Sequence, residues 1–174
     1  MKTVLAIIML TLSFAACAKE IQIADSGITF DAPDEFVPLP QEIIDFKWPN
    51  KRAPKWAIGN ASGATTIAYD IKPANISDAR LPDLMNAFKL TFDRAIPGIQ
   101  WIKREIIELS GKKWIYLEAT SSAIDTDIHN ILLATSYGSK MLIFNFNSTK
   151  KEFPQYESKL RNSIQTIKLP GTGM

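Results

Sequence analysis

One cysteine and one histidine are all that 174 residues contain of either type, and these scarcities exclude a good deal. A single thiol forms no intrachain disulfide, so stability has to come from a packed core. A single imidazole leaves no second histidine to complete a metal site or to share the work of a base. The eight glycines are scattered singly, so no glycine-rich loop is available to wrap a phosphate. Charge is not in excess either: 20 basic and 18 acidic residues give a formal charge of +2. Residues 1–18 carry only Lys2, and without them 19 basic against 18 acidic residues leave +1. That balance speaks against nucleic-acid binding, which needs a net basic surface to displace counterions. A permanent membrane helix is the poorer reading too, because the apolar run TVLAIIMLTLSF falls short of the roughly 20 residues that span a bilayer.

What is present is ordinary for a globular domain, 46% hydrophobic and 22% charged, which implies one folded unit over residues 19–174. Residues 1–18 read as an export signal, with Lys2 in a short n-region, the apolar run, and then Ala15, Ala16, Cys17 and Ala18. Phe14-Ala15-Ala16-Cys17 resembles a bacterial lipobox, in which the cysteine is acylated and becomes the mature N-terminus, although Leu is usual where Phe14 stands. Ala16-Cys17-Ala18 also satisfies the small-x-small rule for ordinary cleavage before Lys19. The lipobox reading is preferred because the chain's one cysteine falls where that motif requires it. An acylated Cys17 would carry the two or more chains that stable anchoring takes, which implies an exported protein of the cell envelope or periplasm.

The stretch from Gly111 to Thr149 reads as three consecutive antiparallel strands. In the first, Trp114, Tyr116, Glu118 and Thr120 point one way and Ile115, Leu117, Ala119 and Ser121 the other, because strand side chains alternate. Both faces are apolar at mid-strand, as they are around Leu142, Phe144 and Phe146 in the third strand. A sheet wetted on one face would be polar throughout one set, so helices are expected to cover both faces. Tyr137-Gly138-Ser139 predicts a tight turn between the second and third strands.

Elsewhere, residues 21–24 and 27–32 predict a hairpin that starts the sheet, with Ile28 and Phe30 inward. A short helix is predicted over 40–46, with Ile43, Ile44 and Phe46 as its apolar face. A second hairpin follows, turning at Ala61-Ser62-Gly63, with strands that adjoin the long meander. Leu81, Leu84, Met85, Phe88, Phe92, Ala95 and Ile96 recur at helical spacing, and Pro97-Gly98 ends that helix. Residues 100–109 alternate as a strand near an edge. Thr149-x-x-Glu152 has the pattern of a helix start, though Pro154 allows a later one, with Phe153, Tyr156, Leu160, Ile164 and Ile167 on one face.

A hairpin carrying ITFDAPDEF, a central helix, a long meander and a C-terminal helix together resemble the PsbP fold family over most of residues 21–169. Phrases such as Trp48-Pro49-Asn50, Gly111-Lys112-Lys113-Trp114 and Ala123-Ile124-Asp125-Thr126 are similar to those of small bacterial envelope proteins with that fold. The resemblance implies an α+β fold, an antiparallel sheet in an α/β/α sandwich. It also implies docking onto larger assemblies without chemistry of its own, since that is what better-known relatives share. Their individual partners, a photosystem and the GTPase Ran, are not carried over to a chain with a bacterial leader.

Candidate sites follow from residue chemistry. The segment KWPNKRAPKW reads as an extended surface loop in which Lys47, Lys51, Arg52 and Lys55 beside Trp48 and Trp56 suit lipid head groups or an acidic protein. The bland alternative is that the tryptophans fasten the loop to the core while the lysines keep it soluble. Asp125, Asp127 and His129 alternate, on one face if the strand extends this far, with roughly 6.6 Å between successive Cα atoms, too far apart for one ion without backbone bending. A solvated hairpin end, with His129 bonded to a nearby backbone group, is the better account. No serine is placed as a nucleophile, and no catalytic residue, cofactor or metal is expected. The function expected is a non-enzymatic docking or assembly factor for an envelope or membrane protein complex. The alternative is a small-ligand-binding domain with a cavity near Trp114, Tyr116 and Tyr69, and a metal-assisted hydrolase is a distant third.

Overall fold

Alternating apolar residues between Gln100 and Thr149 build four long neighbouring strands in the computed structural model, which describes residues 18–23, 26–48, 53–123 and 126–171. In chain order the elements are β1 (Ala18–Ile23), β2 (Ile28–Pro33), β3 (Val37–Pro38), α1 (Gln41–Lys47), β4 (Trp56–Gly59), β5 (Thr65–Lys72) and α2 (Leu81–Ala95). They continue with β6 (Gln100–Leu109), β7 (Lys112–Ser122), β8 (Asp127–Tyr137), β9 (Lys140–Thr149) and α3 (Phe153–Gln165). Seven strands form one antiparallel sheet in the order β3-β4-β5-β9-β8-β7-β6. The fold is α+β, and among the described residues no helix is long and apolar enough to cross a membrane.

Turn chemistry sets the register. Tyr137 pairs with Lys140 across Gly138-Ser139, and Gly138 takes φ 59°, a conformation that favours glycine. β6 is one of the two edge strands, as its charged alternation predicts, and the hairpin β4–β5 joins the meander through β9. The first hairpin departs from expectation. Among the described residues β1 and β2 pair only with each other, apart from a bridge between Thr29 and Lys168, so they do not start the main sheet. Their apolar side, Ile23, Ile28 and Phe30, is spent on the core instead, where all three are buried.

Strand alternation sorts the core into clusters. Trp114 and Tyr116 of β7 pack with Ile131 and Leu133 of β8, Phe144 and Phe146 of β9, the β1–β2 hairpin, and Leu160 and Ile164 of α3. Ile115 and Leu117, their neighbours along β7, pack with Leu132, Ala134, Leu81 and the half-buried Met85 and Phe88 of α2. A third cluster joins Ala57 and Ala68 to Ile43, Ile44 and Trp48 at α1. α3 buries five residues and α2 only Leu81, so α3 is set deep while α2 lies shallow. Trp114, Tyr116 and Tyr69 are core residues at 0%, 6% and 3% exposure, so these side chains fill space where the sequence had suggested a ligand cavity.

Candidate functional site

The short helix α1 borders a concavity on the sheet. Its small neighbours Ala57 and Ala68 let it approach the sheet, where Ile43, Ile44 and Trp48 pack. Gly63 sits so close beneath it, at φ 67°, that a Cβ there would lie 2.9 Å from Ile43 Cγ2, and Lys47 Nζ donates to Gly63 O at 2.8 Å. Phe46, expected on the apolar face with Ile43 and Ile44, is instead 83% exposed. A helix of seven residues presents only about two turns, and positions 43 and 44 already occupy the side toward the sheet.

Between α1 and the end of α2 runs a groove of about 650 Å³. Its walls are Ile43, Phe46, Lys47 and Trp48 of the α1 segment and Ile96 after α2. Ile96 is held there because Pro97 O accepts the Ser122 amide at 3.0 Å. The floor comes from strand ends: Ser121 of β7, Ile128 and Asn130 of β8, and Asn147 and Thr149 of β9. Asn130 and Asn147 face each other across the β8–β9 register, and Asn130 Nδ2 donates to Ser121 Oγ at 3.0 Å. Lys47 is the one ionisable residue lining the groove among the described residues. Burial pushes its ammonium below its ordinary value, and the nearby Glu152 opposes that only in part.

The two tryptophans of the 47–56 segment lead to different clusters. Trp48 packs with α1 on Ala57 and Ala68, whereas Trp56 packs against the main core, with ring centroids 6.2 Å from Phe30 and 6.0 Å from Tyr69. Lys55 is exposed. Lys51 and Arg52 lie outside the described residues, as do Cys17 and Asp125. The segment is not loop throughout, since Lys47 closes α1 and Trp56 opens β4.

His129 is 8% exposed, and its partner is a carboxylate where a backbone group was expected: Nε2 lies 2.7 Å from Glu118 Oε1. The ring stacks on Phe153 at 3.5 Å between centroids. Glu118 also accepts from Tyr116 Oη at 2.7 Å and from Arg161 Nη2 at 2.8 Å, while Arg161 reaches Glu157 at 2.8 Å. Burial raises the Glu118 carboxyl, but hydrogen bonds from His129, Arg161 and Tyr116 more than reverse this and hold it at about 2, against an ordinary 4.5. Burial and then Glu118 push the Tyr116 phenol up. Asp127 does not join the network; it pairs with Lys150 at 3.5 Å. Among the described residues no group of three or more His, Cys, Asp and Glu side chains is placed to hold a metal ion. The network joins α3 to the sheet. Sequence reading had the right histidine and the wrong partner, because Glu118 is 11 residues away and meets it only through the β7–β8 register.

The predicted helix start at Thr149-x-x-Glu152 is half realised. Glu152 N bonds Thr149 Oγ1 at 3.3 Å, but its carboxylate turns away to Asn60 Nδ2 and Thr65 Oγ1, each at 2.8 Å, and α3 begins at Phe153. Glu152 thereby ties the turn beneath α1 to the start of α3.

Comparison with known proteins finds the same architecture. No protein-family description matches the chain, and no curated relative does. Among solved structures, the cyanobacterial PsbP protein CyanoP of Synechocystis sp. PCC 6803 superposes with a TM-score of 0.63 at 13% identity, over 88% of this chain and 93% of that one. LpqN of Mycobacterium tuberculosis, described as involved in cell envelope biogenesis, matches with a TM-score of 0.57 at 15% identity, over 88% and 90%. PA94 of Pseudomonas aeruginosa, a protein of unknown function and putative regulator, gives 0.53 at 17%, over 86% and 94%. Identity this low carries the fold and nothing finer, and the fold of this chain is PsbP-like.

Proposed function

We infer that this protein is an exported, non-enzymatic envelope protein, anchored by lipid at Cys17, that docks on a membrane-associated protein complex as an assembly factor. The likeness to CyanoP and to LpqN supports an envelope protein without catalysis. On this reading α1 and α2 cover one face of the sheet and α3 the other, and the surface between the covers does the work. The observation that carries the reading is the separate fastening of Trp48 and Trp56, one at α1 and one in the main core. The chain between them carries Lys51, Arg52 and Lys55, and two of its residues are proline. Fixing both ends of a cationic segment lowers the entropy lost when it meets an acidic partner.

The test is affinity purification of the tagged full chain from solubilised envelope. The wild type should co-purify a defined complex, and charge reversal at Lys51, Arg52 and Lys55 should remove that complex without shifting Tm. The same complex captured by both proteins, or none captured by either, refutes the docking. Fractionation of Cys17→Ser tests the anchor: the variant should move from the membrane to the soluble exported fraction, and a distribution like that of the wild type would count against lipidation.

A further inference from the structure

We propose that the groove beside α1 binds a single-chain amphiphile with a carboxylate head, the head held by Lys47 and Asn147 and the chain laid along Phe46, Trp48 and Ile96. The lining divides by chemistry. Lys47, Asn147, Thr149, Asn130 and Ser121 offer polar atoms, and Ile43, Phe46, Trp48, Ile96 and Ile128 offer apolar surface. No carboxylate lines the groove among the described residues, and the acid that acts on Lys47 there, Glu152, is itself engaged by Asn60 and Thr65.

Lys47 places the head. Its ammonium is half-buried, and among the described residues its one hydrogen bond goes to the Gly63 carbonyl and it makes no salt bridge. A partly desolvated cation whose field Glu152 offsets only in part gains more from an incoming anion than an exposed lysine does. Thr149 lies on that side, since its amide bonds Ala64 O, next to Gly63, at 3.0 Å. Asn147 follows two residues along β9 and makes no side-chain hydrogen bond among the described residues, so its carboxamide is available as a second donor.

Phe46 and Trp48 explain the tail. A phenylalanine left 83% exposed at the lip of a groove is apolar surface that a bound chain would take out of water. A volume of about 650 Å³ lies within the roughly 300–1,000 Å³ of small-molecule sites. The head chemistry is a monoanion's: one cation flanked by neutral donors answers one charge.

The test is calorimetric titration of the folded chain with decanoate below its micelle concentration, beside decan-1-ol as a neutral arm and acetate as a head without a tail. Decanoate should bind saturably at one site, decan-1-ol at least tenfold more weakly, and acetate not measurably. Lys47→Gln should weaken decanoate at least tenfold and leave decan-1-ol unchanged. Phe46→Ser, at an exposed position that folding does not need, should weaken both chains several-fold. Absence of saturable decanoate binding overturns the proposal, as does equal affinity for the acid and the alcohol, or a Lys47→Gln variant that binds like the wild type. A self-association that Phe46→Ser abolishes and decanoate does not displace would assign the groove to a second copy of the chain and overturn it equally. None of these readouts depends on the envelope complex, so docking and amphiphile binding can fail separately.

Discussion

Replacing Glu118 by glutamine removes one charge from a carboxylate that is 3% exposed and accepts from three side chains. The stabilisation at stake follows from linkage. Its folded value of about 2 lies below the ordinary 4.5, so the ionised group favours the folded state, a difference worth about 3 kcal/mol at neutral pH. The Arg161 side chain is 41% exposed and keeps Glu157, so solvent and the second partner offset part of the loss, leaving an expected deficit of about 2–3 kcal/mol. Because the pKa is depressed on folding, the contribution is complete above the unfolded value and fades as pH falls from about 4.5 toward about 2. Urea denaturation of both proteins from pH 7 to pH 3 reads this directly. The gap should be widest at pH 7 and shrink to less than half by about pH 3. A variant within about 0.5 kcal/mol of wild type at pH 7, or a gap that does not change with pH, would refute the reasoning.

Two further substitutions test the packing. Leu160→Ala empties a wholly buried position on α3 and should cost about 3–5 kcal/mol, whereas Phe46→Ala, at 83% exposure, should stay within about 0.5 kcal/mol; equal denaturation midpoints would contradict the placement of both. Among glycines, a Cβ at Gly59 would meet Thr65 O at 2.7 Å and two side-chain carbons at 2.9 Å, so Gly59→Ala should lower stability by about 2 kcal/mol or more. Gly138 has open space at φ 59°, so Gly138→Ala should lose only about 1 kcal/mol, the penalty of the left-handed conformation; thermal melts that reverse this order would show the backbone at β4 to be looser than described.

Legibility followed distance along the chain. The meander was readable because alternation, a Gly138 turn and the paired apolar faces of Trp114 and Ile115 are local signals. α2 and α3 were readable from spacing at three and four residues. The candidate sites were less so. Lys47 and Trp48 were picked for their chemistry in a cationic stretch, yet their place in a groove depends on Ile96, Asn130 and Asn147, which arrive from three other segments. Nothing in the local pattern of Ile43, Ile44 and Phe46 says that the last is left in water.

By itself the sequence determined the periodicities, the turns and the residues that had to be buried somewhere, because each of these is set by sterics and hydrophobicity within a few neighbouring residues. Tertiary structure alone decided which surfaces meet. It set the first hairpin off from the main sheet, joined His129 to Glu118 and Arg161, turned Glu152 from its own helix toward Asn60, and left a groove where α1 and α2 fail to close over the strand ends. The physical reason is that burial is non-directional: it specifies that Ile28 and Phe30 leave water, and only the competition among all the elements for the same faces of one sheet specifies where they go.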